Sequence, residues 1–327
     1  MTLVLSRTDV FDLLSLGECI DAVKRAFRLH AKGRSLGPGV LGVPVPGGGF
    51  HIKAAGLVGE RSYFAAKTNA NFSDNPRRWG LPTIQGTIVL ADATNGTPLA
   101  IMDSGSVTAL RTGATTAVAA QLLARPDSST ATVVGCGVQG EVQLAAIAAV
   151  LPLRRIILVD LDHARAEDLA ARAAAEHGIQ AEPTRDLRAA LRDSDVCVTC
   201  TTSRRAFLAA GDIAPGTFIA AVGADNPDKQ ELEPALLASA TLVVDVLEQC
   251  AEIGELHHAL AAGVLTRERV HGELADVVAG RRPGRTRADE ITIFDSSGTA
   301  LQDVAAAVAV YEKARACGRG TVVKLDA

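Results

Sequence analysis

Three groups of residues in this chain of 327 have the types and spacings that do chemistry. The first is residues 131–140, ATVVGCGVQG, where a short run of β-branched and small residues enters a G-x-G-x-x-G turn at Gly135, Gly137 and Gly140. An apolar helical pattern follows at residues 142–150. In such a turn the first glycine permits the tight strand-to-helix reversal. The second lets backbone approach a pyrophosphate, and the third lets helix pack closely on strand. The helix beginning there points N–H groups and a positive dipole end at phosphate, with Val138 and Gln139 presenting backbone. The glycine motif alone is weakly specific. A second apolar strand, residues 155–160, strengthens it by ending in Asp160, twenty residues after Gly140. A carboxylate there accepts the ribose hydroxyls of an NAD adenosine and repels a 2′-phosphate, so NAD is expected over NADP. Arg165 is the nearby cation that would argue the other way.

The second group is cationic. Arg111 is followed by the small residues 112–115, and its planar fork can hold a carboxylate in two places. Such a clamp fixes the orientation of a carboxylate-bearing substrate. Lys67 ends an apolar strand-like run, and Lys53 is a cation within another. The third group is Asp225, which follows four small or apolar residues at the C-terminal end of a strand pattern. Ligands bind at such ends in open α/β sheets, and desolvation there would raise a carboxyl's pKa toward a useful range. Each candidate also has a plain structural reading. Arg111 could form a helix-surface ion pair, Lys67 could be an exposed strand-end lysine, and Asp225 could form an Asx turn before Asn226 and Pro227.

These groups need elements to position them. From residue 131 strands and helices alternate, with strands expected at 155–160, 196–200, 217–222, 241–246 and 291–294 and helices at 164–177 and 186–192. That alternation predicts an α/β fold, a Rossmann-type doubly wound parallel sheet. Its strand-end loops would bring Thr201, Ser203, Val222 and Gly223 to the cofactor. Residues 1–125 read differently, as a discontinuous α+β domain. An amphipathic helix at 16–33 puts Cys19, Ile20, Val23 and Phe27 on one face, and residues 37–49 are turn-rich without helical periodicity. Strands are expected at 50–54, 63–68 and 83–91, and Asn95–Gly96 forms a hairpin signal into residues 98–102. A helix pattern at 106–123 is interrupted at 111–114, and 126–129 reads as a linker. Residues 300–317 read as a long amphipathic helix that leaves the sheet and packs back on the first domain. The division expected is therefore 1–125 completed by 300–327, for substrate and dimerisation, and 126–299, for NAD. The strands between 50 and 102 are too few to cover their own edges, which predicts a homodimer through this domain.

Composition narrows the classes. Apolar residues at 48% supply a sizeable core, while a net charge of −4 and the lack of a basic run argue against nucleic acid. No apolar segment reaches the roughly 18 residues that span a bilayer, so no membrane partner and a cytoplasmic location are expected. Cys197 and Cys200 form a C-x-x-C in a strand, where positions i and i+3 face opposite sides. His257 and His258 are adjacent and point to different helix faces. Neither pair predicts a metal site.

Six segments carry a resemblance: 67–69 (KTN), 80–86 (GLPTIQG), 108–115 (TALRTGAT), 134–140 (VGCGVQG), 222–225 (VGAD) and 294–303 (FDSSGTALQD). Together they resemble the ornithine cyclodeaminase/mu-crystallin family over nearly the whole length. The resemblance implies a Rossmann domain joined to a dimerisation domain built from both chain ends. It also implies NAD or NADP chemistry at the α-carbon of a small amino or imino acid. It places Lys67 on the substrate, Asp225 as the acid/base residue, Thr83 near the cofactor, and Ser296 and Ser297 beside nicotinamide and substrate. Arg111 joins both the substrate and the cofactor residues, and Lys229 is a further cofactor candidate. One departure stands out. The family's substrate-carboxylate arginine should fall near Gly39 or Val40, where there is none, and Lys53 is the cation available to replace it. Three readings follow: an amino-acid dehydrogenase working as a ketimine reductase, an ornithine cyclodeaminase with catalytic NAD, and a non-enzymatic, crystallin-like nucleotide binder.

Overall fold

The computed structural model describes residues 1–325. Residues 326 and 327 of the expected 300–327 segment lie outside the described residues. The chain divides into two compact units, Met1–Ala114 with Thr299–Ala327, and Thr115–Gly298.

In the first unit the strands are β1 (Thr2–Leu5), β2 (Ser35–Val45), β3 (Gly48–Val58), β4 (Ser62–Asn71), β5 (Ile84–Asp92) and β6 (Pro98–Asp103). With Thr321–Val323 they form one sheet in the order Thr321–Val323, β1, β6, β5, β4, β3, β2. The turn-rich run 37–49 is thus mostly strand, contrary to expectation. Pro38, which has no N–H to give a ladder, falls with Gly37 (φ 78°) inside the register slip between Leu36 and Gly39, on an edge strand where proline is tolerated. The register then aligns Val40, Lys53, Lys67, Ile88 and Met102 in one row across β2 to β6. Directly opposed residues of antiparallel strands share a face, so this register sets Lys53 and Lys67 side by side.

Three of the helices bear on the candidate site. Leu16–Ala31 starts on a capping box between Ser15 and Glu18 and buries the expected Cys19, Ile20, Val23 and Phe27. Ala300–Cys317 contacts that helix together with β3 and β4. It was expected to be amphipathic, yet residues 300–307 are buried on every face, Gln302 and Asp303 included. Ser104–Leu123 runs unbroken through 111–114, because burial there overrides the weak helix preference of Thr112 and Gly113. The two units divide within this helix, at Ala114, and residues 126 and 127 form a turn.

The second unit holds β7 (Thr130–Val134), β8 (Arg155–Val159), β9 (Gln180–Pro183), β10 (Val196–Thr199), β11 (Arg204–Leu208), β12 (Phe218–Ala221), β13 (Gln230–Leu232), β14 (Thr241–Val244), β15 (Gly272–Glu273) and β16 (Thr292–Asp295). Eight of them form a parallel sheet in the order β15, β14, β16, β12, β10, β7, β8, β9, and β11 pairs with β13 separately. This is the doubly wound Rossmann arrangement. Its inner strands are buried on both faces and read as continuous apolar runs, with Val134, Cys197, Ile219, Val244 and Ile293 in one core. The chain order reverses between β7 and β10, which opens a crevice at the C-terminal ends of those strands. Among the described residues no helix is long and apolar enough to cross a membrane.

Candidate active site

The glycine turn after β7 has the shape a pyrophosphate needs. Gly135 sits at φ 101°, and a Cβ at Gly140 would lie 2.1 Å from the Gly135 carbonyl oxygen, so helix and strand touch through backbone. A Cβ at Gly137 would meet nothing within 4 Å, which leaves that approach open. Gly137 also caps the helix Val138–Ala148 without a side chain, so the first-turn N–H groups, including those of Val138 and Gln139, have no acceptor within the helix. Asp160 follows β8 and does more than the sequence suggested. Its two oxygens accept the Cys136 N–H at 2.7 Å and the Asp162 N–H at 2.9 Å. It fixes the glycine loop and, with about four acceptor positions on a carboxylate, keeps capacity for ribose hydroxyls. Leu161 beside it is fully exposed, a feature the sequence did not single out. Arg165 is drawn to Asp162 at 3.4 Å.

The ends of β10, β12 and β16 supply the rest of this unit's candidates. The Thr201 N–H and the Gly223 N–H both donate to Glu231, at 2.7 and 2.9 Å. Ser203 bonds the Thr201 hydroxyl through its N–H and exchanges bonds with the Arg205 backbone through its own hydroxyl. Val222 is held by the Thr199 carbonyl at 2.8 Å. The Ser296 hydroxyl is buried with no hydrogen-bond partner among the described residues, the kind of orphan that a bound cofactor satisfies. Ser297, the expected substrate neighbour, is engaged inside the protein. Its hydroxyl donates to Asp245 at 2.7 Å and accepts from Gln249 at 2.9 Å, a buried internal network. These features fit a dinucleotide.

Asp225 stands on a surface loop, its side chain 49% exposed, where Lys229 donates to it at 2.7 Å. The Asx turn in that loop belongs to Asn226, whose side chain accepts the Asp228 N–H at 3.1 Å. His258 Nε2 lies 2.8 Å from the Lys229 carbonyl oxygen. No group of three metal-type ligands occurs among the described residues.

The first unit gathers the cations. Lys67 is buried in the interior of β4, not at a strand end, with its Nζ 2.7 and 2.8 Å from the two Asp303 oxygens. Arg111 is equally buried, with Nε 2.9 Å from Asp303 and an Nη donating to the Gln302 Oε1 at 2.6 Å. Lys53 is buried beside Lys67 on β3 and acts electrostatically on both Lys67 and Asp303. Burial, then the Arg111 guanidinium, pushes the Lys67 amine down to about 7, while the Asp303 carboxylate opposes that shift. Val40 is directly opposite Lys53, so a cation on Lys53 occupies the same sheet face that an arginine at 40 would. Thr83 precedes β5 in this unit, and its carbonyl accepts the Phe72 N–H. Sequence reasoning missed Asp303 and Gln302, though Asp303 is the one acid in the first half of an Ala- and Val-rich helix. It also missed Glu231.

The matching profile is that of the "Ornithine cyclodeaminase/mu-crystallin family", over residues 1–318. The chain belongs to this family. An archaeal alanine dehydrogenase dimer with bound NAD superposes with a TM-score of 0.94 at 38% identity, covering 99% of each chain. The Δ1-pyrroline-2-carboxylate reductase of Thermococcus litoralis, in complex with NADH and L-proline, gives 0.94 at 34%, covering 98% of this chain and 100% of that one. An L-lysine cyclodeaminase from Streptomyces rapamycinicus is 32% identical over 92% of this chain and 89% of its own. The family member described here is an NAD-dependent enzyme of the dehydrogenase, imine reductase and cyclodeaminase group.

Proposed function

We propose that this enzyme interconverts a small amino acid and its imine, with net oxidation or reduction, and that Met1–Ala114 with Thr299–Ala327 serves the substrate while Thr115–Gly298 holds NAD. The observation that carries the substrate class is the burial of Lys53, Lys67 and Arg111 around one carboxylate, Asp303. Buried charge is retained where it has partners, and a substrate carboxylate is a second anion for these three cations. Gly135, Gly137, Val138, Gln139, Gly140 and Asp160 would hold the adenosine and pyrophosphate, and Thr201, Ser203, Val222, Gly223 and Ser296 the other half. Thr83, Arg111 and Lys229 complete the proposed cofactor residues.

A bound nicotinamide supplies the hydride acceptor or donor. Arg111 and Lys53 grip the substrate carboxylate and fix the α-carbon's orientation. Lys67, titrating near 7, can enter the reaction with or without its proton at neutral pH. Asp225 is assigned the proton at the substrate nitrogen, kept in place by Lys229. The open edge strand β2, with Leu36, Val40, Leu41 and Val43 exposed, is the proposed homodimer contact. Covering such an edge is what natural sheets require. All six cysteines are free thiols, as in a reducing, cytoplasmic compartment.

The test is a panel of L-alanine, L-proline, L-ornithine and L-lysine with NAD, and of Δ1-pyrroline-2-carboxylate and pyruvate plus ammonium with NADH. Absorbance at the NADH band and ammonia release are followed together. A net NADH change with one of these compounds supports the reading. Ammonia from a diamino acid with no net NADH change would replace it with cyclodeamination.

A further inference from the structure

Glu231 is a fully buried acid on β13, and its carboxylate bridges two strand ends. One oxygen accepts the N–H of Thr201, after β10, and the other the N–H of Gly223, after β12. The fit on the Gly223 side leaves no room for a side chain, since a Cβ there would lie 2.4 Å from the carboxylate. Glu231 is itself held by a second buried acid. Its own N–H and that of Leu232 donate to the two oxygens of Glu255, at 2.7 and 3.2 Å. Glu255 opens the helix Glu255–Ala261, whose first N–H groups, from Glu255 and Leu256, donate to Asp295 at the end of β16, at 3.1 and 2.9 Å. At Gly254 a Cβ would lie 2.6 Å from that carboxylate. Three carboxylates thus each grip a pair of backbone N–H groups, linking the ends of β10, β12 and β16 through β13 and one helix.

The location of the bridge points to one half of the cofactor. Asp160 lies after β8, on one side of β7, whereas β10 and β12 lie on the other. A dinucleotide with its adenosine ribose at Asp160 and its pyrophosphate at the β7 turn extends its nicotinamide half over β10 and β12.

We infer that Glu231 is a positioning residue for the nicotinamide half of the cofactor, setting the spacing of the Thr201 and Gly223 loops, with Glu255 and Asp295 holding it in register. This rests on the reading that these loops line the bound dinucleotide. A carboxylate is required because both contacts come from donors. A glutamine has the same size but one acceptor oxygen, and its NH₂ would face one of the two N–H groups.

The experiment measures binding of NADH and of ADP, the latter a probe for the adenosine half alone, by titration calorimetry on Glu231→Gln, Gly223→Ala and Gly140→Ala. Thermal unfolding is the folding control. Gly223→Ala has ordinary backbone torsions and disturbs the same contact from the loop side, so it decides the matter if Glu231→Gln fails to fold. The expected result is NADH binding about tenfold weaker in both variants, with ADP binding unchanged. Equal weakening of NADH and ADP would reduce Glu231 to general support of the unit and overturn the proposal. Normal NADH binding in both variants, with Gly140→Ala losing both ligands, would also overturn it and leave the cofactor reading standing. Retention of both ligands by Gly140→Ala would refute the cofactor reading itself, and the proposal with it.

Discussion

Replacing Asp303 by Asn tests the cation cluster most directly. The change keeps the volume but removes the charge that touches Lys67 at 2.7 Å and Arg111 at 2.9 Å, all with side chains 6% exposed or less. Removing one partner of a buried ion pair costs about 3–5 kcal/mol, because the remaining charge is left poorly compensated. For a domain of this size that corresponds to roughly 6–20 °C in thermal midpoint. Lys67 offers a partial escape. Burial and Arg111 already push its amine down to about 7, and losing Asp303 removes the influence that held it up. A lysine whose folded pKa lies below its unfolded value makes folding less favourable as pH falls, since the unfolded chain then takes up the proton more readily. The deficit of Asp303→Asn should therefore be largest near pH 6 and shrink by pH 8.5, where neutral Lys67 sits beside Arg111. Calorimetric scans of both proteins across that range measure it. An unchanged midpoint at pH 6, or a deficit that grows with pH, would refute the charge argument.

Asp225→Asn should lower turnover about 10²–10⁴-fold while NADH affinity stays near normal, and near-normal turnover would leave the carboxylate as a partner for Lys229 alone. Fluorescence titrations should show NADH binding tighter than NADPH, because Asp160 faces the glycine loop and Arg165 is paired with Asp162; tighter NADPH binding would reverse the assignment. Burial pushes Asp295 up to about 7, and Glu255 and Glu231 shift in the same direction. A carboxyl raised above its unfolded pKa favours folding at low pH and loses that advantage as pH climbs through the folded value. Between about pH 4 and 7 the wild type should accordingly lose more stability than Asp295→Asn, measured by urea unfolding, and parallel curves would contradict it.

The nucleotide fold was legible in the sequence because its signals are local. The run 131–140 carries its own turn geometry, and Asp160 ends the next apolar strand, so no distant contact had to be known. The edge strand β2 was not legible, since Gly37 and Pro38 are turn residues by local preference and only the open sheet edge makes them acceptable in a strand. The unbroken helix at 111–114 was hidden for a related reason, because burial overrides the weak local preference of Thr112 and Gly113. The candidate site followed the same division. Lys67, Arg111, Lys53 and Asp225 could be named from residue type and neighbours, but not their partners. Asp303 meets Lys67 across 236 positions of sequence, a pairing created only when the helix Ala300–Cys317 packs on β3 and β4. The sequence determined which groups could bear charge. Tertiary packing decided which of those charges are buried together, and burial is what gives Lys67 and Asp295 their altered proton affinities.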